Sequence, residues 1–503
     1  MSLGLILFLG VTSAGVVLSL ATRRSAPALR AIATVGLICC ALAALLVQPG
    51  EQLRVGEARL VATPYLRLWL ASASLSFLVL HLLGLASAWQ RNVPPAMFSG
   101  LATMAVALAL TDHGSALLAA ASGALLALGT TIVLPAPVAE LRVAADALRA
   151  TAASAALAVL GASWAVAGGP RPEPVIVLAA YLLVVAALVQ RMGSIPLHLP
   201  EVRIVRSAPM SGVPLLVAWL PAAFAVVAVS WHQFAVVPLQ PDLGAARQIT
   251  LLIGAGTLVL AGVAALLQED LANLVGYSIV QDGALVLLAL AQSDPAGATA
   301  IRAWLLIFAL VKTATAGLVL AIGALEGTRR VPDLVGWARR TPSLAIALAA
   351  IVVATYGWPG ALPFQVRADL IGLSLPGPAG TLVLLCSLLP AIAFIRALWI
   401  GVRGTDRWRV LPPVAVPERP RLPASGFREE YEDRPAIVRE RLARVGRVVL
   451  REIRWLPIAW GANRAPATAL LGLLLALLPL ALVVGLADLR GAAAGSPPIA
   501  AGR

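Results

Sequence analysis

Lysine is almost missing from this 503-residue chain. Of its 38 basic residues, 37 are arginine and one is lysine, Lys312. Charge of either sign is scarce: 12% of residues are Asp, Glu, Lys or Arg, against ~25% in a typical soluble domain. Hydrophobic residues make up 60%, and the mean hydropathy is +0.90. A soluble enzyme built around one long domain is excluded. Cysteine is scarcer still. Cys39, Cys40 and Cys386 all lie in apolar runs, with no C-x-x-C or Cys/His spacing. A zinc site, an iron–sulfur cluster and a disulfide framework are therefore not expected, and the three read as small buried hydrophobes. There is no phosphate-binding Gly-rich loop, nucleophile elbow or metal-ligand pair at helical spacing. The expectation is a chain with no catalytic site, cofactor or metal of its own.

What remains is a succession of apolar runs, each long enough to cross a bilayer as a helix of ~20 residues. About fourteen can be marked between residues 3 and 487. The fold class expected is an all-α polytopic membrane protein of about 14 transmembrane helices. It divides into helices 1–3 (1–95), a core of helices 4–13 (96–401), a polar Arg-rich linker (402–466) and a last helix with its tail (467–503). Runs 96–111 and 114–134 are separated only by a few residues around Asp112. They form a helical hairpin or one long broken helix.

The net charge of +14 does not point to nucleic acid, because the arginines cluster in short segments between apolar runs. That is the bias of a membrane protein with its basic loops inside. Arg23, Arg24, Arg30, Arg91, Arg142, Arg149, Arg203, Arg206, Arg329, Arg330, Arg339 and Arg340 fall on one side, with fourteen more in 402–466. Arg54, Arg59, Arg171, Arg247 and Arg302 fall on the other. The expected location is the inner (cytoplasmic) membrane, with both termini outside. The first run has no basic residue before it and Arg23 and Arg24 after it, so it reads as a retained helix rather than a signal peptide. Within 402–466, residues Val438, Leu442, Val445, Val449, Ile453 and Leu456 repeat every three or four positions among arginines. This predicts an amphipathic helix over 435–456, lying on the inner membrane surface or on a partner subunit, with a solvated linker helix as the alternative.

Two runs are broken deep inside. One reads Gln190-Arg191-Met192-Gly193-Ser194-Ile195-Pro196, the other Gly357-Trp358-Pro359-Gly360-Ala361-Leu362-Pro363. Such breaks survive in a membrane only where protein or a wet cavity covers them. Paired breaks in the two halves of a chain, as in inverted repeats, point to a transport site. A plain proline kink is the alternative.

Ionisable residues inside apolar runs are expensive and are functional candidates. They are His81, Arg191, Asp282, Lys312, Arg367 and Asp369. Lys312 stands out, because a desolvated lysine can give up its proton and a guanidinium cannot. Its roles are a proton relay or a structural pair with a carboxylate such as Asp282. Arg191 and Arg367 can hold fixed charge, pair with a carboxylate or bind an anion. Asp369, two residues from Arg367, is one candidate partner for it. His81 reads as a core histidine. His198 and His232 fall near helix ends, where they can titrate.

Three stretches carry a resemblance. Gln268-Glu269-Asp270-Leu271 through Tyr277-Ser278 is similar to a Q-x-D-[IL]-K-R-x-[IL]-A-Y-S signature. Gly357-Trp358-Pro359 through Phe364 and Arg367 is similar to G-x-P-x-x-x-G-F-x-x-K. Pro196-Leu197-His198, followed by Ala208-Pro209-Met210-Ser211, is similar to P-L-H-x-W-L-P…A-P-x-P-V-S. Together they resemble the antiporter-like membrane subunits of respiratory complex I, of multi-subunit cation/proton antiporters and of membrane-bound hydrogenases.

The resemblance implies a proton path, other membrane and peripheral subunits as partners, and protons or monovalent cations as cargo. It also shows departures. The family pairs a glutamate of the fifth helix with a lysine of the seventh. Here the fifth helix, near Ala121-Ser122-Gly123, has no carboxylate, and the lysine position is Arg191. The lysine ending the second broken helix is Arg367. The basic residue of the eighth helix falls in the uncharged Leu215–Ala218. The central lysine alone remains, as Lys312. The functions this leaves open are a translocation subunit with a modified path, a non-transporting scaffold, and the cation-coupled membrane partner of an inorganic-carbon uptake complex.

Overall fold

The computed structural model describes residues 3–87, 92–132, 138–167, 173–207, 210–239, 243–292, 294–403, 464–484 and 489–494. The linker helix expected over 435–456 lies outside the described residues.

The apolar runs form helices in the order expected. They are α1 (Leu3–Ala21), α2 (Ala26–Leu46), α3 (Pro64–Ala86), α4 (Val93–Ala109), α5 (His113–Ile132), α6 (Val138–Ala167) and α7 (Pro174–Arg191). There follow α8 (Leu199–Ser207), α9 (Leu220–Trp231), α10 (Gly244–Leu266), α11 (Leu271–Gly283), α12 (Leu285–Leu290) and α13 (Pro295–Glu326). The last are α14 (Trp337–Arg340), α15 (Pro342–Tyr356), α16 (Leu362–Ser374), α17 (Pro378–Ser387), α18 (Leu389–Val402), α19 (Arg464–Val483) and α20 (Leu489–Ala494). Among the described residues, twelve helical segments are long and apolar enough to cross a membrane, and α4 and α15 are shorter apolar helices. The polytopic helical class is as the composition implied. Of the two arrangements open for 96–134, the hairpin is the one formed: α4 and α5 pack against each other.

One element was not legible as such. Residues Gln52–Val55 (β1) and Ala58–Val61 (β2) form an antiparallel hairpin in the loop after α2, turning at Gly56 with φ +60. Arg54 and Arg59 sit opposite each other there, so a segment that reads as a charged loop is a ribbon.

Helix α13 is the centre. It is almost wholly buried, whereas α1 and α2 expose leucines, valines and isoleucines along one face, as lipid-facing helices do. Elements α3, α9, α11, α15, α16, α19 and α20 all pack on α13. Its ends are set by local chemistry. The Asp294 side chain accepts from Ala296 N at 2.9 Å, Pro295 opens the helix, and Gly327 closes it at φ +71.

Helix α11 begins the same way. Asp270, the acid of the signature, accepts from Ala272 N at 2.8 Å and Asn273 N at 3.2 Å. Leu271 N and Val331 N bond to Arg329 O and Glu269 O, tying the α11 start to the turn after α13. The visible work of Asp270 is therefore to fix where α11 starts. Asp270→Ala is expected to cost about 1 kcal/mol, read as lower thermal stability; an unchanged melting curve would show that the backbone ties alone hold α11.

Candidate functional site: a buried carboxylate between two cations

Six charged side chains are buried among the described residues: Arg191, Glu201, Asp282, Arg302, Lys312 and Arg367. Three of them meet. Asp282 lies at the end of α11, Lys312 in the middle of α13 and Arg367 in α16. Lys312 Nζ donates to Asp282 Oδ2 at 2.5 Å, and Arg367 Nη2 donates to Asp282 Oδ1 at 2.5 Å. Lys312 also donates to Ser278 Oγ at 3.2 Å. Asp282 and Arg367 are 0% exposed and Lys312 is 2% exposed.

The second break explains how Arg367 is held. In a continuous helix the Thr355 carbonyl would accept from the amide of residue 359. That residue is Pro359, which has no N–H. Arg367 Nη2 donates to the Thr355 carbonyl instead, at 3.3 Å. Gly357 at φ +64 and Gly360 at φ +101 let the chain turn out of α15 and back into α16. The guanidinium also packs on aromatic faces, 4.6 Å from the Trp304 ring and 5.0 Å from the Tyr356 ring. Its Nε and Nη1, and the Tyr356 hydroxyl, have no hydrogen-bond partner among the described residues.

The cluster holds two cations and one anion in a water-poor core. With Lys312 protonated its net charge is +1; with Lys312 neutral it is zero. Arg367 keeps Asp282 paired in either state, because a guanidinium stays charged.

The expected residues divide between two places. Asp282, Lys312, Arg367 and Ser278 come together. Asp369 does not join them: it lies near the surface, 3.8 Å from Arg490 of α20, so the pairing with Arg367 open from sequence spacing is not the one formed. Adjacent residues of a helix point about 100° apart, and two steps carry Asp369 off the buried face. Arg191 and His198 belong to the first break. Arg191 is buried and donates from Nη1 to Thr151 at 2.5 Å. Pro196 and Pro359 are exposed at their turns, and Phe364 is half-buried. Gln268 donates to the Ala264 carbonyl, and the half-buried Tyr277 ring lies 6.1 Å from the His198 ring. His81 is buried and shares a hydrogen bond with Thr34 at 3.2 Å, as a core histidine would. His232 is buried in the π turn after α9, with neither ring nitrogen bonded among the described residues. The uncharged Leu215–Ala218 lies in a π turn whose Trp219 donates to Thr313, next to Lys312, at 2.8 Å.

Residues 170–392 match the family described as NADH:quinone oxidoreductase/Mrp antiporter, transmembrane. That stretch contains all of the three-residue cluster. Over that stretch the chain is similar to the antiporter-like membrane subunits. It is 26% identical over 238 residues to NADH-quinone oxidoreductase subunit N 1 of Acidiphilium cryptum, covering 45% of this chain and 48% of that one. With subunit N of Syntrophotalea carbinolica it shares 30% over 240 residues, covering 46% and 50%. The matches thus span about half the length of these relatives. Two solved structures share the fold over nearly the whole chain. One is a chain of the Mrp complex from Dietzia sp. DQ12-45-1b, with a TM-score of 0.67 at 20% identity, covering 98% of this chain and 97% of that one. The other is a chain of respiratory complex I from Thermus thermophilus, with a TM-score of 0.64 at 16% identity, covering 94% and 97%.

The sequence reading missed Trp304, Tyr356 and Glu201. Trp304 is two turns before Lys312 on the same helix, and Tyr356 directly precedes the second break. Those positions were the available signals. Glu201 follows the first break in a segment that reads as a polar loop.

Proposed function

We propose that this subunit conducts protons within a multi-subunit complex of the complex I, Mrp or membrane-bound respiratory kind, and that Lys312 is the exchanging group. It works in the inner membrane with both termini outside and with further membrane and peripheral subunits beside it. Energy comes from those partners. The observation that carries the reading is Asp282 bonded on one side to Lys312 and on the other to Arg367. A lone buried Lys–Asp pair would hold its proton, since losing it strands a bare carboxylate. Here Arg367 keeps Asp282 neutralised when Lys312 gives its proton up. Lys312 passes between ammonium and amine, and its proton enters and leaves along the core of α13.

The test is proton uptake into vesicles carrying the whole complex. Lys312→Met is expected to lower uptake by on the order of a hundredfold while co-purification of the subunits is unchanged. Lys312→Arg is expected to fail equally, because it supplies charge without exchange. Full uptake in Lys312→Arg would show that only a positive charge is needed. Wild-type uptake in both variants would make the cluster a structural anchor.

A further inference from the structure

Two of the six buried charged side chains are acids. Asp282 is fully engaged; Glu201 is not. Glu201 lies in the first turn of α8, which connects the spans α7 and α9, and is 8% exposed. Its Oε2 has no hydrogen-bond partner among the described residues. It is pressed against the first break: a Cβ added at Gly193, where φ is +64, would come within 2.8 Å of Glu201 Cγ and 3.1 Å of Cδ. Arg191 sits two residues before that glycine. Its Nη1 is taken by Thr151, and its Nη2, buried, has no partner among the described residues. Arg191 and Glu201 therefore interact electrostatically at the first break, each with one buried polar atom unpartnered among the described residues. His198 lies three residues before Glu201 in the chain, with a buried Nδ1 also unpartnered among the described residues.

We propose that Glu201 is a proton-exchanging group of the first break, with Arg191 as the fixed positive charge beside it. The role in transport rests on the conducting function proposed above; the chemistry at the carboxyl does not. The step is Glu201 carboxylic acid to carboxylate and back, the proton passing to and from water at the α8 face. A guanidinium cannot take that part.

Burial pushes the carboxyl up to about 8, against the downward pulls of its own backbone amide and of Arg191. Below that pH the group is neutral; above it the carboxylate faces Arg191. Elements α6, α11 and the Leu215–Trp219 turn pack on α8. Their other ionisable groups, among the described residues, are occupied or outside. Asp146 and Arg149 of α6 pair with each other at the surface. On α11, Asp282 is held by its two cations and Tyr277 is half-buried beside His198, while Asp270 caps the helix start. On α8 itself, Arg203 and Arg206 are exposed. Arg191 is the buried charge that remains.

The experiment is an infrared titration of the purified complex in nanodiscs, together with vesicle uptake, for wild type, Glu201→Gln and Glu201→Asp. A protonated-carboxyl band is expected to vanish as the pH rises through about 8, to be missing in Glu201→Gln and to be displaced in Glu201→Asp. Uptake should fall at least about tenfold in Glu201→Gln and partly recover in Glu201→Asp. A band that Glu201→Gln retains and Glu201→Asp leaves unmoved overturns the proposal. Unchanged uptake in Glu201→Gln, where Lys312→Met abolishes it, overturns its role in transport. If Lys312→Met transports normally, the conducting function fails, and the infrared band still decides whether Glu201 exchanges its proton.

Discussion

Asp282→Asn is expected to destabilise the protein by about 3–5 kcal/mol, the cost of removing one partner from a buried ion pair. The asparagine matches the carboxylate in size, so packing is not the cause. Lys312 and Arg367 would be left facing each other with a neutral amide between them. Neither can reach water, at 2% and 0% exposure. Ser278 and the Thr355 carbonyl offer one hydrogen bond each, which does not replace a full negative charge. The measurement is the thermal melting of the purified complex and the fraction of subunit recovered in it. Asp282→Leu combined with Arg367→Met removes the anion and the permanent cation together. That pair is expected to recover at least half of the loss, since Lys312 alone can become neutral. A double variant as unstable as Asp282→Asn would mean that packing, not charge, holds the three helices.

Arg367→Met is expected to leave assembly intact and to slow proton uptake by on the order of a hundredfold, or ~2.7 kcal/mol in the barrier. Without Arg367, Asp282 keeps Lys312 as its one counter-charge. Deprotonating Lys312 then leaves an unpaired carboxylate in a dry core, which is costly. The proton stays. Arg367→Lys is expected to fall between wild type and Arg367→Met. An ammonium can supply the charge, but not the planar group stacked 4.6 Å from Trp304 while bonded to both Asp282 and Thr355. Normal uptake in Arg367→Met would remove Arg367 from the path and leave it as a clamp on the second break.

These two variants separate stability from transport because the same carboxylate serves both. Asp282 joins α11, α13 and α16 through its two ion pairs, and in the proposed path those bonds set the charge against which Lys312 would exchange its proton. A residue with both duties tolerates few replacements.

Much of this was legible in the sequence. Long apolar runs in a chain with 12% charge require membrane helices, because a backbone in hydrocarbon must satisfy its own hydrogen bonds. The breaks were legible as well: Pro359 cannot donate, and Gly193, Gly357 and Gly360 adopt positive φ with little strain. Lys312 stood out through its chemical type, as one lysine among arginines in mid-helix. Asp282 was already a candidate partner for it. The resemblance placed the chain among the antiporter-like subunits, and the match over residues 170–392 agrees.

What only the tertiary structure decided is pairing. Asp282 and Arg367 are 85 residues apart, and Asp282 and Lys312 are 30 apart. No periodicity within one helix says which faces of α11, α13 and α16 will meet. Arg367 had a nearer acid in Asp369, but helical geometry turned that one outward to Arg490. Glu201 was hidden for the same reason. Local sequence marks α8 as a polar connector, and only the packing of α6 and α11 over it, with the Gly193 turn behind, shuts its carboxyl away from solvent. Composition and local stereochemistry determine which segments enter the membrane and where they break; the partner of each buried charge depends on helix rotation and docking, which are fixed when distant faces pack together.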